Sequence, residues 1–277
     1  MNNQQSLISL LRKTHEAEWE ATPSSQDAFS WLNDLIHFLF PNDHLLKQSS
    51  YEGVLKKNQI DLENILLSYL DPKEIDIEEV VHSFYDSLET IYKNLRLDAT
   101  KIHEYDPAAT SVNEVIVSYP GFYAITVYRI SHKLVQLDIP ILPRILSEYA
   151  HGKTGIDIHP GASIDVPFMI DHGTGVVIGS TVIIGKNVSI YQGVTLGALQ
   201  VAKELADIKR HPTVEDNVII YARTTILGGN TVIGKNSVIG GSVFLTKSIA
   251  PNSQVYNTHK LRITPETIPF NKLDFSF

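Results

Sequence analysis

The stretch "MIDHGTGVVIGSTVIIG", Met169 to Gly185, puts an imidazole where its own rhythm asks for a hydrocarbon. Counting back six residues from Ile184 gives Ile178, and six more gives His172. Imidazole has an ordinary pKa of about 6.5 and is largely unprotonated at neutral pH, so one that reaches solvent can accept a proton. A lone histidine in an aliphatic series reads first as a core residue hydrogen-bonded to backbone. Its neighbours point the other way: Asp171 is ionic, and Gly173, Thr174 and Gly175 are small enough to bend a strand and turn the ring into a groove. The chain has no cysteine, which excludes disulfides, thiolate nucleophiles and cysteine-ligated zinc. Any catalysis therefore rests on His, Asp, Glu, Lys, Ser or backbone groups.

Such a base needs elements to hold it. The chain of 277 residues exceeds the ~100–200 residues of a usual single core, which favours two cooperating units. Its 43% hydrophobic and 19% charged residues are an ordinary globular composition, so the chain is expected to fold. A net charge of −8 without a long Lys/Arg run argues against a nucleic-acid partner and for a small substrate. The start, "MNNQQSLISLLRKTHEAEW", is too short in its apolar run for a secretory signal, and no run approaches the ~20 apolar residues of a membrane span. The expectation is a cytoplasmic protein with no membrane partner.

Up to about residue 150 the apolar spacing is helical, as in "DAFSWLNDLIHFLF" and "IEEVVHSFYDSLETIYKNL". Ser25 is a capping signal for the run from Phe29, and Asp138 with Pro140 and Pro143 breaks the chain before "RILSEYAHG". From Gly155 the pattern becomes a six-residue repeat. Ile178, Ile184, Ile190 and Leu196 form one aliphatic series, and Leu227, Ile233, Ile239 and Leu245 a second. Two residues before each stand Val176, Val182, Val188 and Val194, then Thr225, Thr231, Ser237 and Val243. Residues two apart on a strand point the same way, so each repeat offers one large and one smaller side chain to a shared interior. A period this long predicts a parallel β-helix whose rungs bury their apolar face by stacking. The fold class is α+β: helical domain 1–150, coil 151–256 and tail 257–277. Between the two series the spacing slips by one, and "GALQVAKELADIKRHPTVEDN" reads as a loop extruded at about 198–213.

"DIHPGA" from Asp157, "DHGTGVVIG" from Asp171, "NVSIYQGVTLG" from Asn187 and "RHP" from Arg210 resemble the serine O-acetyltransferases, hexapeptide-repeat enzymes. "DPAA" from Asp106 and "GFYAITVYRISHKL" from Gly121 resemble the helical segment that precedes the coil in that family. The resemblance runs from roughly Asp106 to Val255; before it, residues are similar only in being helical. It implies a left-handed coil, a homotrimer or dimer of trimers, acetyl-CoA as co-substrate and L-serine as acceptor. It implies no metal. L-Cysteine, which resembles serine, is then a plausible feedback inhibitor at the same site.

By that resemblance His172 is the general base that takes the serine hydroxyl proton, and Asp157 the carboxylate that orients it. Asp157 precedes His172 by close to one turn of such a coil, so the two are expected on adjacent rungs ~4.8 Å apart. Arg210 and His211 resemble the pair that holds the substrate carboxylate, and Asp106 and Asp171 the acids that face its ammonium group. Gly197, Ala198 and Ala222 match the small residues along which CoA lies as an added strand does. Read singly, Asp157, Asp106 and Arg210 are equally turn residues or solvated charges. His159, a turn residue before Pro160, receives no role. Lys209, Lys235 and Lys247 read as phosphate contacts or as ordinary surface lysines.

Some residues depart from the family pattern. "LGALQVAKELADIKRHP" replaces a shorter glycine-rich loop, and "YART" stands where "GAGA" is frequent, with Tyr221 and Arg223 as bulky replacements. The chain ends in Phe277 where many members end in isoleucine, which argues against a cysteine synthase complex. Three other readings remain: a related acyltransferase with another hydroxyl or amine acceptor, a γ-carbonic-anhydrase-like metal enzyme using His159, His172 and His211, and an idle scaffold.

Overall fold

A computed structural model of the chain describes residues 3–18, 22–41, 50–199 and 208–258. Helices α1 (Asn3–Glu18), α2 (Ser25–Leu39), α3 (Tyr51–Leu67) and α4 (Ile77–Asp86) come first. They are followed by α5 (Leu88–Tyr105), α6 (Val112–Ser118), α7 (Pro120–Gln136) and α8 (Leu142–Thr154). The cap of α2 is Ser24, one residue before the expected Ser25, and its Oγ accepts from the Asp27 N–H at 3.3 Å. Pro143 stands inside the first turn of α8, where a missing N–H is harmless, instead of before the helix. Trp31, Leu32, Leu62, Phe84, Leu95 and Ile125 fill the helical core.

The coil follows as a parallel β-helix of about five turns, in keeping with the left-handed winding that the resemblance implies. Its turns are β1 (Asp157–Ile158), β2 (Ser163–Ile164) and β3 (Phe168–Asp171); then β4 (Val177–Ile178), β5 (Ile183–Ile184) and β6 (Val188–Tyr191). Next come β7 (Thr195–Gly197), β8 (Thr213–Val214) and β9 (Ile219–Ile220), then β10 (Thr225–Leu227), β11 (Val232–Ile233) and β12 (Val238–Ile239). Strands β13 (Phe244–Leu245) and β14 (Gln254–Val255) close it. Three faces result: β1-β4-β7-β10-β13, β2-β5-β8-β11 and β3-β6-β9-β12-β14.

The interior column answers the question of His172. Ile158, Ile164, Ile170, Ile178, Ile184, Ile190 and Leu196 are all buried, so the step between Ile170 and Ile178 is eight residues where every other is six. The two extra residues lie at the corner between third and first faces, and His172 stands there, outside the column. It adopts φ 56°, followed by Gly173 at 81° and Gly175 at 79°. The second aliphatic series needs a correction. Leu196 pairs with Ile226, 30 residues on, and Ile226 is the buried residue of β10, with Thr224 buried behind it. Leu227 and Thr225 are only partly buried. The slip of one falls later, in the "LGGNT" corner before Ile233, where a turn residue is added.

Two devices hold the coil. At the corner between second and third faces Asn187, Asn217, Asn236 and Asn252 all take φ near +60°, a region that Asn tolerates better than most residues. Their amides form a file: Asn187 donates to Asn217 at 2.9 Å, Asn217 to Asn236 at 3.0 Å and Asn236 to Asn252 at 3.0 Å. Lys101 of α5 ends the file, its Nζ 2.6 Å from the Asn187 Oδ1. The second device covers the first rung, whose open edge would otherwise expose unpaired backbone groups. Tyr128 Oη donates to Ala162 O at 2.7 Å and accepts from Ile164 N at 3.1 Å. Asp98, fully buried, accepts from the Phe168 N–H at 2.8 Å and from Arg129 through both oxygens at 2.6 and 2.9 Å. Burial pushes the Asp98 carboxyl up, against the pull of the Arg129 charge and hydrogen bonds.

Candidate active site

Helix α7 fixes the His172 corner from outside. Gly121, in its first turn, lies so close to β3 that a Cβ there would stand 2.2 Å from the Ile170 carbonyl oxygen, so glycine is required. Immediately before it, Tyr119 ends α6 and begins α7. Its hydroxyl donates to Asp106 Oδ2 at 2.6 Å, while Asp106 Oδ1 accepts from the Ala108 N–H at 2.8 Å. The Tyr119 bond, the Ala108 bond and the nearby His172 hold the Asp106 carboxyl below its ordinary range. The same bond raises the Tyr119 hydroxyl to about 12, with Asp106 and Asp171 adding charge.

Asp171 closes β3 with its side chain largely buried, and its Oδ2 stands 3.8 Å from His172 Nε2. The His172 side chain is 71% exposed. Tyr191, opposite Asp171 on the next rung, stacks on Tyr221 with ring centroids 5.1 Å apart. Burial first, then the Asp171 charge, raises the Tyr191 hydroxyl. One corner thus gathers Asp106, Tyr119, Asp171, His172 and Tyr191: two carboxylates able to meet a cation beside an exposed base. The sequence reading missed both tyrosines; the signal for Tyr119 was its place just before Pro120 at a helix start.

Arg210 and His211 lie at the next corner, between first and second faces. His211 is buried, and its ring packs so closely on the Gly179 backbone that a Cβ there would stand 2.1 Å from Nε2. Its Nδ1 accepts from the Thr181 N–H at 3.2 Å, which leaves the proton of the neutral ring on Nε2. Burial, with Arg210 and Lys209 adding positive charge, lowers its pKa to about 4, so the ring is neutral at pH 7. Arg210 Nη2 donates to Ser180 Oγ at 2.8 Å. Lys209 donates to the carbonyls of Thr181, His211 and Pro212 at 2.8, 2.6 and 3.3 Å, so all three ammonium hydrogens brace the loop's return. Residues 200–207 of the expected loop, and Phe277, lie outside the described residues.

Asp157 stands on the first face between these corners, paired with Val177. The expected spacing to His172 is therefore modified: the first turn takes 20 residues, from Asp157 to Val177, and His172 precedes that partner by five. Among the described residues the carboxylate within 4 Å of the imidazole is that of Asp171, at 3.8 Å, and the Asp157 carboxylate lies within 4.8 Å of ligand atoms of Glu148 and His151. Those three are the grouping with metal-ligand spacing among the described residues; His159, His172 and His211 do not form one. Glu148 is already bound by Arg144 and, at 3.2 Å, by His151. His159 behaves as a turn residue, its Nδ1 accepting from the Gly161 N–H at 3.0 Å. Gly197 and Ala198 stand at the Arg210 corner and Ala222 at the His172 corner, so one chain does not bring the three together.

A helical cap on a coil of six-residue rungs, with His and Asp at one corner and Arg-His at another, defines a hexapeptide-repeat protein of the acyltransferase type. No family model matches the chain. Over 180 residues it is 48% identical to a plasmid serine acetyltransferase of Synechococcus elongatus, covering 63% of this chain and 56% of that one. A serine acetyltransferase of Bacillus licheniformis is 47% identical over 154 residues, 56% of this chain and 69% of its own. Among solved structures, serine acetyltransferase isoform 3 of Entamoeba histolytica in complex with cysteine superposes with a TM-score of 0.76 at 33% identity, covering 95% of each chain. A serine acetyltransferase in complex with CoA does so with a TM-score of 0.59 at 29% identity, covering 84% of this chain and 98% of that one. The chain belongs to the serine acetyltransferase family. The match spans just over half the length of the Synechococcus relative.

Proposed function

We propose that the chain transfers the acetyl group of acetyl-CoA to the hydroxyl of L-serine, giving O-acetylserine and CoA. The carrying observation is His172, lifted out of the aliphatic column and held exposed beside Asp106 and Asp171 in a member of this family. His172 takes the hydroxyl proton as the serine oxygen attacks the thioester carbonyl. The tetrahedral intermediate collapses with loss of the CoA thiolate, which receives that proton. General-base help of this kind typically contributes about 10²–10⁴-fold. Asp106 and Asp171 meet the serine ammonium, Arg210 and His211 its carboxylate, and Asp157 orients the imidazole once substrate draws the ring toward the first face. Gly197, Ala198 and Ala222 flank the path of CoA.

Residues 1–150 serve assembly and residues 151–256 catalysis. Because the His172 and Arg210 corners lie on opposite edges of one face, a site that grips both ends of serine is completed by a neighbouring copy, in a trimer or a dimer of trimers. L-Cysteine binds the same corner as a feedback inhibitor; the Entamoeba relative in complex with cysteine supports this. No helix among the described residues is long and apolar enough to cross a membrane, in keeping with a cytoplasmic enzyme. The test is thiol release from acetyl-CoA with L-serine, homoserine and amino sugars as acceptors. Serine is expected to give the highest kcat/KM, and His172→Ala to lower kcat at least about a hundredfold without loss of fold. Unchanged turnover in that variant would remove the base assignment.

A further inference from the structure

We propose that Tyr119 is a positioning residue for the acceptor: through its bond to Asp106 it locks that carboxylate toward the His172 corner and so sets affinity for the amino acid. This rests on the functional reading above and adds a residue that the sequence motifs did not single out. Three observations carry it. The Tyr119 hydroxyl donates to Asp106 Oδ2 at 2.6 Å, a short bond to an ionised acceptor. The Ala108 N–H holds the other oxygen at 2.8 Å, so the carboxylate plane is fixed from both sides while each oxygen keeps a lone pair for an ammonium hydrogen. Finally, Tyr119 cannot drift relative to the coil. It is the junction of α6 and α7, and two residues later Gly121 is jammed against the carbonyl of Ile170, the neighbour of Asp171.

The tyrosine therefore fixes Asp106, and its anchorage at the start of α7 sets that acid relative to Asp171 on the coil. Asp106 ends a helix and Asp171 a strand; without the tie, only the Ala108 N–H holds the Asp106 carboxylate, and its Oδ2 is no longer fixed toward the ammonium. The prediction concerns binding more than chemistry, because Tyr119 touches neither the hydroxyl nor the thioester.

The experiment compares wild type, Tyr119→Phe, Asp106→Asn and the double variant by thiol release, with thermal unfolding of each. Tyr119→Phe is expected to raise KM for L-serine about tenfold, with kcat within twofold, KM for acetyl-CoA unchanged and Tm within a few degrees of wild type. In the Asp106→Asn background the same change is expected to have no further effect on serine KM. Loss of equal size in both backgrounds, or a Tyr119→Phe enzyme with wild-type KM for serine, overturns the proposal and leaves the functional reading standing. Wild-type protein that transfers no acetyl to serine overturns the functional reading and this inference with it.

Discussion

Two carboxylates have proposed roles beside His172, and the roles call for different chemistry. Asp171 is its immediate neighbour, 3.8 Å from Nε2, and is also half of the proposed ammonium seat. Asp157 lies on the adjoining face with its carboxylate beside His151 and Glu148. An acid that orients a base stabilises the imidazolium formed during reaction and acts on kcat; one that binds the acceptor acts on KM. Asp157→Asn is therefore expected to lower kcat about 10²–10⁴-fold with serine KM little changed, by analogy with the loss of an orienting acid in other His-Asp pairs. Asp171→Asn is expected to raise serine KM. Steady-state kinetics on the two variants checks the assignment, and the reverse pattern would exchange their roles.

At the level of elements, the junction between α7 and the first rung concentrates risk in one buried pair. Asp98 is fully buried and Arg129 nearly so; between them they occupy the Phe168 N–H and the Ile164 carbonyl. Arg129→Met would leave an unpaired buried carboxylate and an unmet carbonyl, a loss expected to cost about 3–5 kcal/mol. The check is the urea midpoint, and the double variant Asp98→Leu/Arg129→Met should recover part of the loss because no orphan charge remains. Neither residue was legible in the sequence, since an Asp and an Arg 31 positions apart on two helices carry no local signal. The coil was legible because its six-residue period is a direct image of one face. Where the period was misread, at Leu227 and Thr225, the cause was a single added corner residue: on a strand a shift of one exchanges inside for outside. The asparagine file was present in the letters, as "KN", "DN", "KN" and "PN", but its spacing of 30, 19 and 16 residues follows the uneven turns, not the six-residue rhythm.

Seen as a whole molecule, the chain sets the groups of the proposed reaction on edges that one coil keeps apart. The proposed ammonium seat and proposed base sit at one corner, the Arg-His pair at another, and the short first face with Asp157 runs between them. The motifs nominated the candidate residues; they did not disclose that a single coil keeps these groups apart, because that depends on corner positions set by turn lengths of 20, 18, 30 and 19 residues. The helical half and the coil are likewise unequal at their two ends. One end is sealed by Tyr128, Asp98, Arg129 and Lys101, while at the other Phe244 is 66% exposed.

That asymmetry gives the solenoid a direction of melting. Since each rung is stabilised mainly by its neighbours, fraying should enter at Gln254 and Val255 and climb toward the roots of the amide file at Asn187. Amide deuterium uptake is expected to be fastest in β14 and β13, slower in β10 and slowest in β3 and β6; a flat profile along the axis would mean that the solenoid opens as one block.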